Sequence, residues 1–343
     1  MAIGPGRRKG HAEDREAQEI RSAPCRVHAT RRAGTPLAPG RGVAHAPDVL
    51  RGAVELWTTA MREGDFERAW RVADDQIARR PPGATCWHLP RHEQWIWNGA
   101  PLDDARVLVR CYHGLGDTLQ FARFLPELRA RASQTTVWVQ PFLAPLLATM
   151  ADIGRLLPLH DGDPCVDYDV DIEIMELAHA LRVTPQVLPG RIPYLHVPPG
   201  SRPSKQFSVG VVTQAGKWDE ERSILPSQLD LGVEGVALFS LQLAPPLPGM
   251  RDASTPDPLL LAARVQAMDL VITVDTMLAH LAGALGVRTW VLLPFDADWR
   301  WLTDRTDSPW YPTVRLWRQP RPGDWRSVLD AVRVELSTCA RCG

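Results

Sequence analysis

Short apolar runs alternate with helix-patterned segments twice along this chain, and a Pro/Gly/Ser stretch, Val197-Pro198-Pro199-Gly200-Ser201-Arg202-Pro203-Ser204, separates the two series. Strands that alternate with helices build parallel βαβ units, so the pattern predicts an α/β fold in two lobes. In the first lobe, residues 101–197, strands are expected at 106–112, 136–140, 155–159, 169–174 and 193–197, with helices near 117–131, 141–150 and 175–182. Pro126 should kink or divide the first of those helices. In the second lobe, residues 205–337, strands are expected at 207–213, 236–242, 269–274 and 288–293. Helices are expected there near 226–231, 257–268 and 276–285, with a closing run from Trp325 to Leu336. Two such lobes enclose a cleft, and open parallel sheets bind ligands beyond the carboxyl ends of their strands.

Upstream of the lobes, Trp57 and Met61 follow Leu50 and Val54 at helical spacing, Gly64-Asp65 breaks the run, and Phe66, Ala69, Trp70, Ala73 and Ile77 resume it. This predicts a helical hairpin within residues 49–100, which ends in a Trp-rich link (Trp87, Trp95, Trp97). Gly64-Asp65-Phe66-Glu67-Arg68-Ala69-Trp70 looks like part of a tetratricopeptide unit. One unit cannot stack as a solenoid, so the hairpin is expected to cap the lobe that follows it. Residues 1–48 carry nine basic and five acidic residues with almost no aliphatic periodicity, and this extension is expected to be disordered.

At 343 residues and 45% hydrophobic, the chain can bury two ordinary cores. A net charge of −1 gives no broad field for nucleic acid or an anionic membrane. The apolar runs are too short to span a bilayer and the N-terminus lacks a signal-peptide core, so a cytoplasmic protein is expected. Only three of 39 basic residues are lysines, and 31 prolines are present, a bias that suggests GC-rich coding and a bacterial source. Cys339 and Cys342 have CxxC spacing, but no second pair completes a four-thiolate site, so a mobile tail is expected there.

Two strand-to-helix junctions carry the chemistry. Strand 106–112 runs into His113-Gly114-Leu115-Gly116-Asp117-Thr118, where Gly114 and Gly116 allow a tight turn and close approach of a ligand. Asp117 is a candidate general base, and equally a helix cap. The position three after Gly116 is Leu119, so this is not a dinucleotide GxGxxG loop. Strand 269–274 ends in Asp275-Thr276, after which a helix N-terminus could hold a diphosphate, with His280 one turn beyond Thr276 on the same face. Asp298, Trp299 and Arg300, within a stretch to Trp310, combine aromatic and polar groups as sugar sites do, although tryptophans also serve as core.

Together, Gly114-Leu115-Gly116-Asp117 and Val274-Asp275-Thr276-Met277-Leu278-Ala279-His280 resemble the paired motifs of glycosyltransferase family 9, the heptosyltransferase family, and especially its tetratricopeptide-linked members. The similarity spans residues 50 to 336. It implies a GT-B fold of two Rossmann-like lobes, preceded here by the helical hairpin. It also implies metal-independent, inverting transfer of a hexosyl or heptosyl group from a nucleotide diphosphate sugar, without a cofactor. Carried over, the resemblance makes Asp117 the base and sets Asp275, Thr276 and His280 at the donor diphosphate. It puts Arg222, in preference to Lys217, beside the leaving group. The acceptor expected on this resemblance is a glycan, a lipid-linked saccharide or a protein, and peripheral association with the inner membrane is compatible with it. The loop His113-Gly114 and the turn Pro294-Phe295-Asp296 depart from the heptosyltransferase pattern, which leaves the sugar and base open. Asp167-Tyr168-Asp169 and Asp169-Val170-Asp171 have metal-motif spacing, but the second falls in an expected strand and the first at its start. An epimerase or hydrolase on the same fold, and a non-catalytic protein that uses the hairpin for partners, are the alternatives.

Overall fold

The computed structural model describes residues 46–79, 97–102, 104–162, 164–188, 192–216, 220–243 and 246–342. As far as described, residues 46–164 and 168–342 form one compact unit. The extension before residue 46, Trp87, Trp95 and Lys217 lie outside the described residues.

The chain opens with the expected hairpin, α1 (Ala46–Glu63) and α2 (Phe66–Ile77). Gly64 adopts φ 77°, which glycine reaches at little cost, and Asp65 caps α2 by accepting a hydrogen bond from the Arg68 amide at 3.0 Å. Phe66, Ala69 and Trp70 are buried, and the Trp70 indole donates to the Val183 carbonyl at 2.7 Å, so the hairpin is docked on the first lobe.

That lobe contains β1 (Arg106–Arg110), α3 (Leu115–Phe121), α4 (Leu125–Arg131), β2 (Gln134–Val139), α5 (Ala144–Leu147), β3 (Arg155–Pro158), β4 (Val170–Glu173) and α6 (Leu177–Ala180). Its sheet is parallel, in the order β3-β2-β1-β4. The helix expected over 117–131 is divided by the 3-10 turn Ala122–Phe124, and Pro126 sits in the first turn of α4, where its missing N–H costs nothing. The fifth strand expected at 193–197 is not formed. Pro193 cannot donate to a ladder, and the Tyr194 and Leu195 amides instead reach the Ala284 carbonyl in the second lobe, at 3.0 and 3.4 Å.

The second lobe contains β5 (Phe207–Val212), β6 (Val236–Ser240), β7 (Arg251–Asp252), α7 (Pro258–Gln266), β8 (Leu270–Val274), α8 (Met277–Ala284), β9 (Thr289–Leu293), β10 (Val314–Arg318) and α9 (Trp325–Cys342). The six strands run in the order β10-β9-β8-β5-β6-β7, all parallel, which is the doubly wound arrangement. The helix expected near 226–231 shrinks to the turn Pro226–Gln228, and β7 and β10 are strands beyond those expected. The tail expected to be mobile is instead helical: α9 continues to Cys342, and Cys339 packs against the core and accepts from Arg288 Nη2 at 3.1 Å.

Trp325, Val328, Leu329, Val332 and Leu336 of α9 cover one face of the second sheet. On its other face α8 meets α3, so a single apolar core runs through both lobes and the hairpin, with Phe66, Leu119, Ala279 and Trp310 among its members. Strand order reverses at β1/β4 in one lobe and at β5/β8 in the other, so the loops after β1, β5 and β8 open where ligands of such sheets bind.

Candidate active site

α3 begins where β1 ends, and its first turn is closed by Asp117, whose Oδ2 accepts from the Gly114 amide at 3.0 Å. Asp117 is therefore a cap, and it still presents its side chain, 24% exposed, to the cleft. A Cβ placed on Gly116 would lie 2.8 Å from His280 Cδ2, so this glycine is what allows α3 and α8 to cross so closely.

In the opposite lobe Thr276 caps α8, its Oγ1 accepting from the Leu278 amide at 3.2 Å. The N-terminus of α8, the positive end of its dipole, then faces a cleft of about 680 Å3 that Gly114, Asp117, Arg222, Asp275, Thr276, His280 and Arg300 all line. Arg222, from the turn Glu220–Arg222, donates to the Asp275 backbone carbonyl at 3.1 Å and its Oδ2 at 3.2 Å. Burial, and then the nearby charge of Asp298, push the Asp275 pKa up, with Arg222 opposing them. Burial also drives the His280 pKa well down, assisted by Arg300, Arg123 and Arg222, so this imidazole is neutral. Its Nδ1 shares a hydrogen bond with the Tyr311 hydroxyl at 3.0 Å, and its ring stacks on Trp301 with centroids 5.5 Å apart.

Arg300 ties the two lobes together at this point. It leaves the short turn Trp299–Trp301 and donates from Nη2 to Asp117 Oδ1 at 2.6 Å, from Nη1 to Asp298 Oδ1 at 2.9 Å, and from Nε to Gln120 Oε1 at 2.8 Å. Burial disfavours its charge, yet Asp298 and Asp117 outweigh that cost and raise its pKa.

The structure thus brings Gly114, Gly116, Asp117, Arg222, Asp275, Thr276, His280, Asp298 and Arg300 to one cleft. Trp299 is the exception. Its ring turns to the hairpin, 5.0 Å from the Trp57 ring and 6.2 Å from Trp310, so it is not a surface for a sugar in this cleft. Trp301 and Trp310 are core. The metal-like spacing at 169–171 is consumed by ion pairs. Asp169 is held by Arg106 at 2.9 Å, which lowers its pKa to about 2, and fully buried Asp171 meets Arg110 at 2.8 Å. Gln120, Arg123 and Tyr311 were not expected at the site. A polar Gln120 between Leu119 and Phe121 in an apolar helix was the one legible signal for them.

No protein-family model and no curated protein matches the chain. Among solved structures it is similar to a glycosyl transferase family 9 protein from Veillonella parvula, with 13% identity, TM-score 0.47, and coverage of 71% of this chain and 91% of that one. It is also similar to E. coli heptosyltransferase WaaC with ADP-2-deoxy-2-fluoro heptose, with 14% identity, TM-score 0.48, and coverage of 68% and 100%. E. coli ADP-heptose lps heptosyltransferase II gives 14% identity, TM-score 0.45, and coverage of 67% and 99%. Among the described residues, no helix is long and apolar enough to cross a membrane.

Proposed function

We propose that this chain is a glycosyltransferase that moves a sugar from a nucleotide diphosphate donor to a hydroxyl acceptor with inversion. The observation that carries the reading is the pairing across one cleft: a partly exposed carboxylate, Asp117, shares it with the N-terminus of α8 and the Arg222–Asp275 pair. The donor diphosphate lies against the α8 amides, where the helix dipole favours negative charge. Asp117 takes the acceptor hydroxyl proton as the oxygen attacks the anomeric carbon from the face opposite the diphosphate. Charge then builds on the leaving diphosphate, and Arg222 with the amides stabilises it without a bound metal. Neutral His280 is an uncharged hydrogen-bonding group beside the sugar, which suits a carbohydrate better than an imidazolium does. The acceptor is a glycan, a lipid-linked saccharide or a protein, with access from the membrane surface in the lipid-linked case.

Calorimetry with ADP, GDP and UDP, followed by a screen of their sugars, tests the reading. Binding of one diphosphate at micromolar level, abolished by Thr276→Arg at the mouth of α8, is expected. A protein that binds none of the three does not have this function.

A further inference from the structure

The hairpin does more than cover apolar surface. Its first helix grips the turn that carries Arg300. The Arg62 carbonyl accepts from the Thr303 amide at 3.0 Å and from its hydroxyl at 3.2 Å, and the Arg62 guanidinium donates to the Ala297 carbonyl at 3.2 Å and pairs with Asp296 at 2.9 Å. The Trp57 ring meets Trp299 edge-on at 5.0 Å, and the Arg300 guanidinium lies 4.4 Å from the other partner of that ring, the Trp299 centroid. From the sheet side, Arg318 donates to the Leu302 carbonyl at 2.6 Å. Leu302 itself sits at φ 51°, a conformation that side-chain-bearing residues seldom adopt and that persists only where surroundings enforce it. The turn from 297 to 303 is therefore clamped at both ends, and Arg300 projects from its middle to Asp117, Asp298 and Gln120.

We infer that the hairpin is a built-in positioning arm of the active site: Trp57 and Arg62 fix the 297–303 turn, the turn fixes Arg300, and Arg300 fixes the carboxylate of Asp117. This rests on the reading of Asp117 as the base. A carboxylate held by one backbone amide at Oδ2 and one guanidinium at Oδ1 has a single orientation toward the cleft, and loss of the guanidinium leaves rotation about its side-chain bonds open. Trp57 and Arg62 act through Arg300 and line no part of the cleft. The arm also gives a more specific role to a hairpin that the sequence reads as a cap.

The test uses the full chain and whichever of the ADP-, GDP- or UDP-sugars the wild type turns over, with diphosphate release as the readout. Loss of orientation at a reacting group costs up to about 100-fold, so Arg300→Gln should lower kcat by about that factor and Arg300→Lys by about tenfold. Trp57→Ala and the milder Arg62→Ala should lower kcat by about fivefold, with donor KM and diphosphate affinity within about twofold of wild type. Combining Trp57→Ala with Arg300→Gln should cost no more than Arg300→Gln alone, because both act along one path. Leu56→Ala, on the 58% exposed side of α1, should leave turnover unchanged. Normal kcat in folded Arg62→Ala and Trp57→Ala proteins overturns the arm while leaving the transferase intact, as do losses that multiply in the double variant. A wild type that binds and turns over no nucleotide sugar overturns the transferase reading and the arm with it.

Discussion

At the end of β1 the chain turns through Gly114 into α3 and leaves Asp117 with a side chain 24% exposed; at the end of β8 it turns through Asp275 into α8, and the Asp275 side chain is 7% exposed. Both junctions are strand, tight turn and helix, and both aspartates meet an arginine. The partners differ in origin. Arg222 comes from the same lobe as Asp275, so that pair belongs to the frame of one domain, whereas Arg300 reaches Asp117 from the opposite lobe. One junction builds a pocket wall, and the other is held by a contact that crosses the cleft. On the proposed reading, a carboxylate that exchanges protons has to stay accessible, as Asp117 does, while one that supports a helix terminus can be sealed, as Asp275 is.

Asp117→Asn should break that contrast most strongly. The amide keeps the shape and the Gly114 contact but cannot take a proton, so kcat should fall by about 1,000-fold, while calorimetry finds diphosphate affinity unchanged. Full activity in this variant would remove Asp117 from the chemistry. At the other junction, Asp275→Ala leaves Arg222 buried without its carboxylate, and urea unfolding should show a loss of about 3 kcal/mol. Gly116→Ala tests the crossing between them. With His280 2.8 Å from the new methyl carbon and the α8 backbone behind it, overpacking should destabilise the protein by about 2 kcal/mol, whereas the same change at Gly249, with open space around it, strains only its backbone.

The smallest effect concerns pH. His280 is neutral when folded and its pKa lies below the ordinary 6.5, so the unfolded chain takes up a proton that the folded one refuses. Its contribution is complete above the unfolded value and is lost as the pH falls below it, at about 1 kcal/mol between pH 7.5 and 5.5. His280→Gln should lessen that drop in urea unfolding. Asp275 acts in the opposite sense: its raised pKa means the folded state binds the proton more readily, so acidification through that value relieves strain at the C-lobe junction. An unchanged acid drop in His280→Gln would assign it elsewhere.

Much of this frame is legible along the chain because it is local. β8 reads as five apolar or β-branched residues, Leu270 to Val274, and Thr276 is a strong capping residue, so the α8 junction follows from neighbours in sequence. Residues 193–197 mislead for a physical reason: Tyr194, Leu195 and Val197 are as buried as strand residues, but the Tyr194 and Leu195 amides bond to the end of α8 rather than to a sheet. β10 carries its own alternation, with Val314 and Leu316 buried and Arg315 exposed, and remained hidden behind the tryptophans preceding it. The role of Arg300 had no local trace, since its partner Asp117 is 183 positions away and nothing near either residue encodes the other. Trp299 shows the converse, because an aromatic beside polar groups reads as a sugar platform until the hairpin claims it.

Arg123 leaves the first lobe and donates to the Trp310 carbonyl of the second at 2.7 Å and the Leu188 carbonyl of its own at 3.1 Å, with its guanidinium 4.6 Å from the Tyr311 ring centroid and 5.0 Å from that of Tyr194. Tyr311 in turn holds His280, and Tyr194 donates to the Leu119 carbonyl on the helix of Asp117. The halves of this protein are consequently not interchangeable parts. A chimera that borrowed its second lobe from another protein of this fold would leave Arg123 without the Trp310 carbonyl and the Tyr311 ring it meets here, so an exchange of whole lobes breaks the seam that sets Asp117 and His280.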